Sequence, residues 1–151
     1  MRHRGLPSAR GCALLPILCV VVLALGCADP MPNEARLLLD RMDRLDPDDV
    51  ESRRALVAAL RAMPLRSEDV VAARDACVAM HETLLRAEDL SAEARAALTA
   101  AEAAGGTLDP ASQRRIESLL AESQASIDRV RGLEAPCQGR IEELRSRFGG
   151  H

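Results

Sequence analysis

The sequence predicts an all-α fold: a long antiparallel helical hairpin with two shorter N-terminal helices packed at its base, as a four-helix bundle with coiled-coil-like packing. Three observations predict it. Apolar residues recur at three- and four-residue spacing from Val70 to Phe148, with one break at Gly105-Gly106. Acidic, serine and proline start signals stand ahead of the apolar patterns. Cys77 and Cys137, the only cysteines after position 27, lie symmetrically about the glycine break.

Composition sets the limits. A chain of 151 residues has room for one domain once a targeting segment is set aside. There is no Trp or Tyr and a single Phe, Phe148, so the core must be built from Leu, Val, Ile, Met and Ala, which favours close helix approach. All 20 basic residues are Arg, a bias we read as a property of the coding sequence rather than a phosphate-binding device. The formal charge is −3; with Arg2, Arg4 and Arg10 lying ahead of Cys27, the remainder carries 17 Arg against 23 acids, a net −6. An acidic surface of interspersed sign argues against nucleic acid as a partner.

Residues 1–26 read as an export signal. Met1-Arg2-His3-Arg4 is basic, Ala13 to Leu25 is apolar, and small residues follow. An apolar run of about 13 residues, broken by Pro16, falls short of the ~20 needed to span a bilayer as a helix. The run ends Leu23-Ala24-Leu25-Gly26-Cys27, which resembles the lipobox of bacterial lipoproteins, with Ala24 where Leu is commoner and Leu25 next. The alternative is ordinary cleavage after Ala28, with Gly26 and Ala28 as the small pair. The resemblance implies that Cys27 is the lipidated N-terminus, carrying more than one acyl chain, which suffices for stable membrane attachment. It also implies that Cys12 and Cys19 are removed with the leader. Among lipoproteins of Gram-negative type, Asp directly after the cysteine favours inner-membrane retention, so with Ala28 there and Asp29 only next the resemblance implies the outer membrane, facing the periplasm.

Residues 27–33, with two prolines, are expected to form a tether of at most ~20 Å, and residues 34–151 the helical domain. Asn33 is the expected cap of a first helix over about 34–45, with Ala35, Leu38, Met42 and Leu45 as its stripe. Asp46-Pro47-Asp48-Asp49 starts a second helix over about 47–63, with Val50, Val57, Leu60 and Met63 inward and Pro64 as its stop. Ser67-Glu68-Asp69 opens a third over 68–104, in which Val70, Ala73, Cys77, Met80, Leu84 and Ala87 keep a 3,4,3,4,3 spacing; Ser91 either lies within it or caps a second half. Asp109-Pro110 opens a fourth over 110–148, carrying Ile116, Leu120, Ser123, Ile127, Val130, Cys137, Ile141 and Leu144. Pro136 removes one backbone hydrogen bond and crowds the carbonyl of Gly132, so a kink or short break is expected at 132–136. Asp40/Arg44, Asp49/Arg53, Glu82/Arg86 and Glu143/Arg147 form acid-before-base pairs on the outer faces.

The cysteines test this arrangement. In an antiparallel pair, facing residue numbers share a constant sum, and the midpoint of 77 and 137 is 107, inside the turn. The same register sets Val70 against Leu144, Ala73 against Ile141, Leu84 against Val130, Ala87 against Ile127, Ala94 against Leu120 and Leu98 against Ile116, with Met80/Glu134 and Ser91/Ser123 as its two non-apolar pairs. A Cys77–Cys137 disulfide is expected in an oxidising compartment, with an Ala-rich tip ~45 Å from the bridge by helical rise. Val70, Val71, Val78, Leu84 and Leu85 are expected to pack with the first two helices into a four-helix base.

For chemistry, the chain beyond Cys27 offers only His81 and His151 among histidines. Cys77-x-x-x-His81 lies on one helical face, and with Cys137 and Glu134 a reduced form holds the donor types for zinc or copper; the competing reading is a disulfide beside an unreactive histidine. No Gly-rich phosphate loop, haem-attachment motif or hydrolase elbow occurs. The expectation is therefore a protein without enzymatic activity, cofactor or metal, acting as an envelope binding or structural module with a protein partner. The alternatives are a ligand or metal sensor at Cys77, His81 and Cys137, or a role similar to that of pilotins, small helical lipoproteins that escort outer-membrane assemblies.

Overall fold

The computed structural model describes residues 29–44 and 49–149. The leader, Cys27, Leu45, Asp46, Pro47 and His151, for which the sequence sets expectations, lie outside these residues. Four helices account for the fold: α1 (Met31–Asp43), α2 (Val50–Arg61), α3 (Glu68–Ala103) and α4 (Pro110–Phe148). α3 and α4 form the antiparallel hairpin; α1 packs on α4, α3 and α2 at the base, and α2 lies along α3. The all-α hairpin with a four-helix base is thus the fold, and no strand occurs among the described residues.

Two helix starts differ from expectation. α1 begins at Met31, inside the stretch expected to be tether. Pro32 sits in its first turn, where a fixed φ and a missing N–H cost nothing, and the Met31 N–H donates to Asp29 Oδ1 at 3.0 Å. Asn33 is therefore inside the helix rather than its cap. α2 begins at Val50, later than the predicted 47, because Asp49 is the cap: its carboxylate accepts the N–H groups of Glu51 and Ser52, each at 3.1 Å.

α3 starts where expected, but Ser67 does not cap it through its side chain. Glu34, from α1, accepts the N–H of Arg66 at 3.0 and 3.1 Å and of Ser67 at 2.9 Å, so a distant carboxylate closes this helix end. Those hydrogen bonds, led by that from Ser67, hold the Glu34 carboxyl below its ordinary value. α3 runs unbroken through Ser91 and ends at two glycines with positive φ, Gly105 at 117° and Gly106 at 79°, where a Cβ would be strained. The Gly106 N–H donates back to the Ala101 carbonyl, closing the end. Asp109 then caps α4 through Ala111 and Ser112, as predicted.

Neither a break nor an interruption occurs at Pro136, which corrects the expected short break there. Pro136 and Gly132 are both exposed, so water can satisfy the Gly132 carbonyl that loses its helical donor. The core occupies the base: Leu38, Leu60 and Val70 are fully buried, joined by Leu56, Val78, Leu85, Ile141, Leu144 and the disulfide. Val71 and Leu84, expected there too, are only half-buried. Arg145–Asp43 at 2.7 Å and Arg147–Asp69 at 3.4 Å tie the end of α4 to α1 and α3. Of the expected surface pairs, Asp40/Arg44 and Glu143/Arg147 form. Glu82 and Arg86 instead serve tertiary pairs, Glu82 with Arg61 and Arg86 with Glu122.

Candidate functional site

Cys77 and Cys137 are joined in a disulfide, with Cα atoms 4.7 Å apart. This sets the base register as predicted: Val70 and Leu144, and Ala73 and Ile141, are all buried. Both sulfurs are thereby withdrawn from metal ligation, which needs thiolate. His81, one turn beyond Cys77, is 5% exposed, and neither ring nitrogen has a hydrogen-bond partner. Burial, and then the nearby Arg53 charge, push the His81 pKa below its ordinary value, so the ring is held neutral. Glu134, the fourth group considered, is exposed on α4. Among the described residues no group of three or more His, Cys, Asp or Glu is placed to hold a metal ion.

Beside His81 lies Arg53, which was expected on an outer face paired with Asp49; the structure turns it inward instead, and Asp49 serves as the helix cap. Arg53 is buried and pairs with Glu88 of α3. Its position completes the α2 stripe at 50, 53, 57 and 60, the 3,4,3 spacing of the inward face, and that was the available signal. A charge at an inward position of a short helix marks a place where the packing surface turns polar.

Immediately next to this pair the α2–α3 seam opens into a groove of about 460 Å³. Its floor is apolar, from Val57, Ala58, Leu85 and Leu90. Two ion pairs cross the seam, Arg54–Asp89 and Arg61–Glu82, and Arg86 and Glu93 stand on the α3 rim. The volume lies in the range of ligand sites, and the combination of apolar floor and charges of both signs suits a large apolar side chain flanked by polar groups. The hydrogen bonds that Arg54 donates to Asp89, then the Asp89 charge, raise the Arg54 pKa, so the rim cation is secured at any physiological pH. None of these contacts was legible in the sequence, because each joins α2 to residues about 20 to 35 positions away.

Further along the hairpin the predicted register fails. Ser123 Oγ donates to the Ala87 carbonyl at 2.8 Å, where Ile127 was expected to face Ala87. Leu120 is 47% exposed and Ile127 37%, while Ser123 and Ser126 are buried. The reason is geometric. Extending a strict 3.5-residue repeat along a helix of 3.6 residues per turn accumulates error, so from Cys137 the directions of Ile127 and Leu120 diverge by about 80° and 100°, but those of Ser126 and Leu119 by no more than about 20°. Leu98 is likewise 37% exposed near the tip. The arm therefore presents Leu98, Leu120 and Ile127 outward and mainly small residues inward, with Ile116 the one large apolar side chain buried there among the described residues.

No family model, curated protein or solved structure matches this chain. Among the described residues no helix is long and apolar enough to cross a membrane.

Proposed function

We propose that the protein is a lipid-anchored component of the cell envelope, held by Cys27 and facing the periplasm from the outer membrane, whose helical base binds a protein partner without catalysing a reaction. The observation that carries the binding reading is the α2–α3 groove: an apolar floor left open beside the core, with charged residues of both signs around it. Its occupant is a segment of an envelope protein that places one large apolar side chain on Leu85 and Leu90, with flanking charges against Arg86 and Glu93. The lipobox-like Leu23 to Cys27 run supports the anchor, and the Cys77–Cys137 bridge suits an oxidising compartment.

Two experiments test this. Photocrosslinking in intact membranes from a reactive group at Ala58 or Leu90 should capture a discrete protein adduct, and the same group at exposed Gln138 should not. Filling the groove with Ala58→Trp should abolish the Leu90 adduct. Equal labelling from all three positions would remove the binding reading. For the anchor, Cys27→Ser should release the protein from membranes and block lipid attachment; a variant that remains membrane-bound and normally processed would contradict it.

A further inference from the structure

The outer face of α4 carries a second periodic pattern that the hairpin does not bury. Glu117, Leu120, Gln124, Ile127 and Arg131 follow a 3,4,3,4 spacing, and every one is exposed. Gln113 and Glu134 extend it by one step at each end and are exposed as well. Reversed about Gln124, the pattern is complementary to itself. Leu120 takes the place of Ile127, Glu117 that of Arg131, and Gln124 its own.

We propose that two copies of this chain associate along these faces, antiparallel, about a two-fold axis at Gln124. In such an isologous contact each interaction occurs twice: Leu120 packs on Ile127 of the second copy, Glu117 meets its Arg131, and the two Gln124 amides meet on the axis. Charge selects the direction. A parallel pairing would set Glu117 against Glu117 and Arg131 against Arg131, whereas the antiparallel one sets opposite charges together. Antiparallel helix dipoles act in the same sense. The contacts given up are slight and exposed: among the described residues Glu117 accepts from Gln113 Nε2 at 2.9 Å, Gln124 Nε2 donates to Asp128 at 3.2 Å, and Arg131 is paired with Asp128 at 2.8 Å. The face shares no residue with the α2–α3 groove, so this association goes beyond the proposed function and does not depend on it.

The geometry has a consequence for tethering. Arg147 Nη2 lies 3.6 Å from the Met31 sulfur, so the chain enters the fold at the Phe148 end of α4. Two antiparallel copies therefore place these ends on opposite sides of the axis, each about 36 Å from Gln124 by helical rise. Under the lipid-anchor reading, copies held by one membrane pair with their arms lying along its surface.

Sedimentation of the full chain in detergent, across a range of concentrations, tests the association. The wild type should pass from monomer to dimer, and Glu117→Arg or Arg131→Glu alone should weaken the dimer by at least about tenfold, or 1.4 kcal/mol. The double variant carrying both exchanges should recover it, because the pair re-forms with its charges inverted. Gln124→Cys should crosslink to itself above the wild-type background. Glu117→Cys, whose copies lie about 21 Å apart along the helices, should crosslink only when mixed with Arg131→Cys. Ala58→Trp, in the groove, should leave the dimer intact. A chain monomeric at every concentration, a Glu117→Cys chain that crosslinks to itself, or a double exchange that fails to restore association overturns the proposal.

Discussion

Around the Cys77–Cys137 bridge, α3 and α4 meet through Val70, Ala73, Ile141 and Leu144, covered by leucines from α1 and α2; nearer the tip the same two helices meet through Ala87, Ala94, Ser123 and Ser126. The helices are continuous, but the means of holding them together changes along their length. Large buried side chains give the base a unique packing and most of its hydrophobic stabilisation. Small ones let the arm's backbones approach closely, yet bury little area and leave Leu98, Leu120 and Ile127 outside. One amphipathic hairpin thus divides into a base packed by large side chains, bridged and covered by α1 and α2, and an arm packed mainly by small ones.

The contrast predicts where perturbation will be felt. The largest effect should follow opening of the bridge. Closing a loop of 60 residues contributes about 4 kcal/mol in a chain-entropy treatment, so Cys77→Ser with Cys137→Ser, or reduction, should lower unfolding stability by about that amount. Equilibrium denaturation with and without reductant measures it, and an unchanged midpoint would show that the base does not need its clamp. Next, Leu60→Ala in the base should cost about 3 kcal/mol by leaving a cavity, whereas Leu120→Ala in the arm should change stability by less than about 0.5 kcal/mol, since Leu120 is half-exposed. Equal costs at the two sites would erase the distinction between the regions.

Ser123→Ala removes a buried hydrogen bond that crosses the arm and should cost about 1 kcal/mol. Its signature is faster amide exchange at 87–100 and 112–125 with little change at 137–144. A uniform change would mean that arm and base open together.

The smallest effect concerns pH. His81 is held neutral in the fold and titrates normally when unfolded, so between its ordinary value, near 6.5, and its lowered folded value the unfolded chain binds more protons. Stability contributed by the neutral ring is therefore complete above pH ~6.5 and falls as pH drops through that window. His81→Gln should flatten the dependence between pH 5 and 7 in thermal melts, and a wild type with no slope there would show that His81 is solvated.

Much of the architecture was legible because it rests on local chemistry. The Asp109-Pro110 start and the Gly105-Gly106 turn follow from backbone and capping preferences that hold wherever the chain is placed; of the α3 stripe, Val70, Ala73, Cys77, Ala87 and Ala94 are buried, whereas Met80 and Leu84 are half-buried and Leu98 is exposed. The cysteine positions added one long-range constraint, and it fixed the base register. What escaped depends on packing between elements. Glu34 caps α3 from 32 residues away, Arg53 turns inward to Glu88, and the groove exists only because α2 lies along α3. The arm register escaped for another reason: Ala and Ser contacts specify alignment weakly, so the straight path of α4 decides, and it favours Leu119 and Ser126 over Leu120 and Ile127.

Native-state hydrogen exchange of the oxidised protein tests the division into base and arm most directly. Amides of Val70–Leu85 and Cys137–Leu144 should exchange only through global unfolding, with a common opening free energy that falls on reduction. Those between Ala94 and Ser126 should open at lower free energy and be insensitive to reductant. If arm and base instead share one opening free energy and respond together to reduction, the hairpin is a single cooperative unit and the division is wrong.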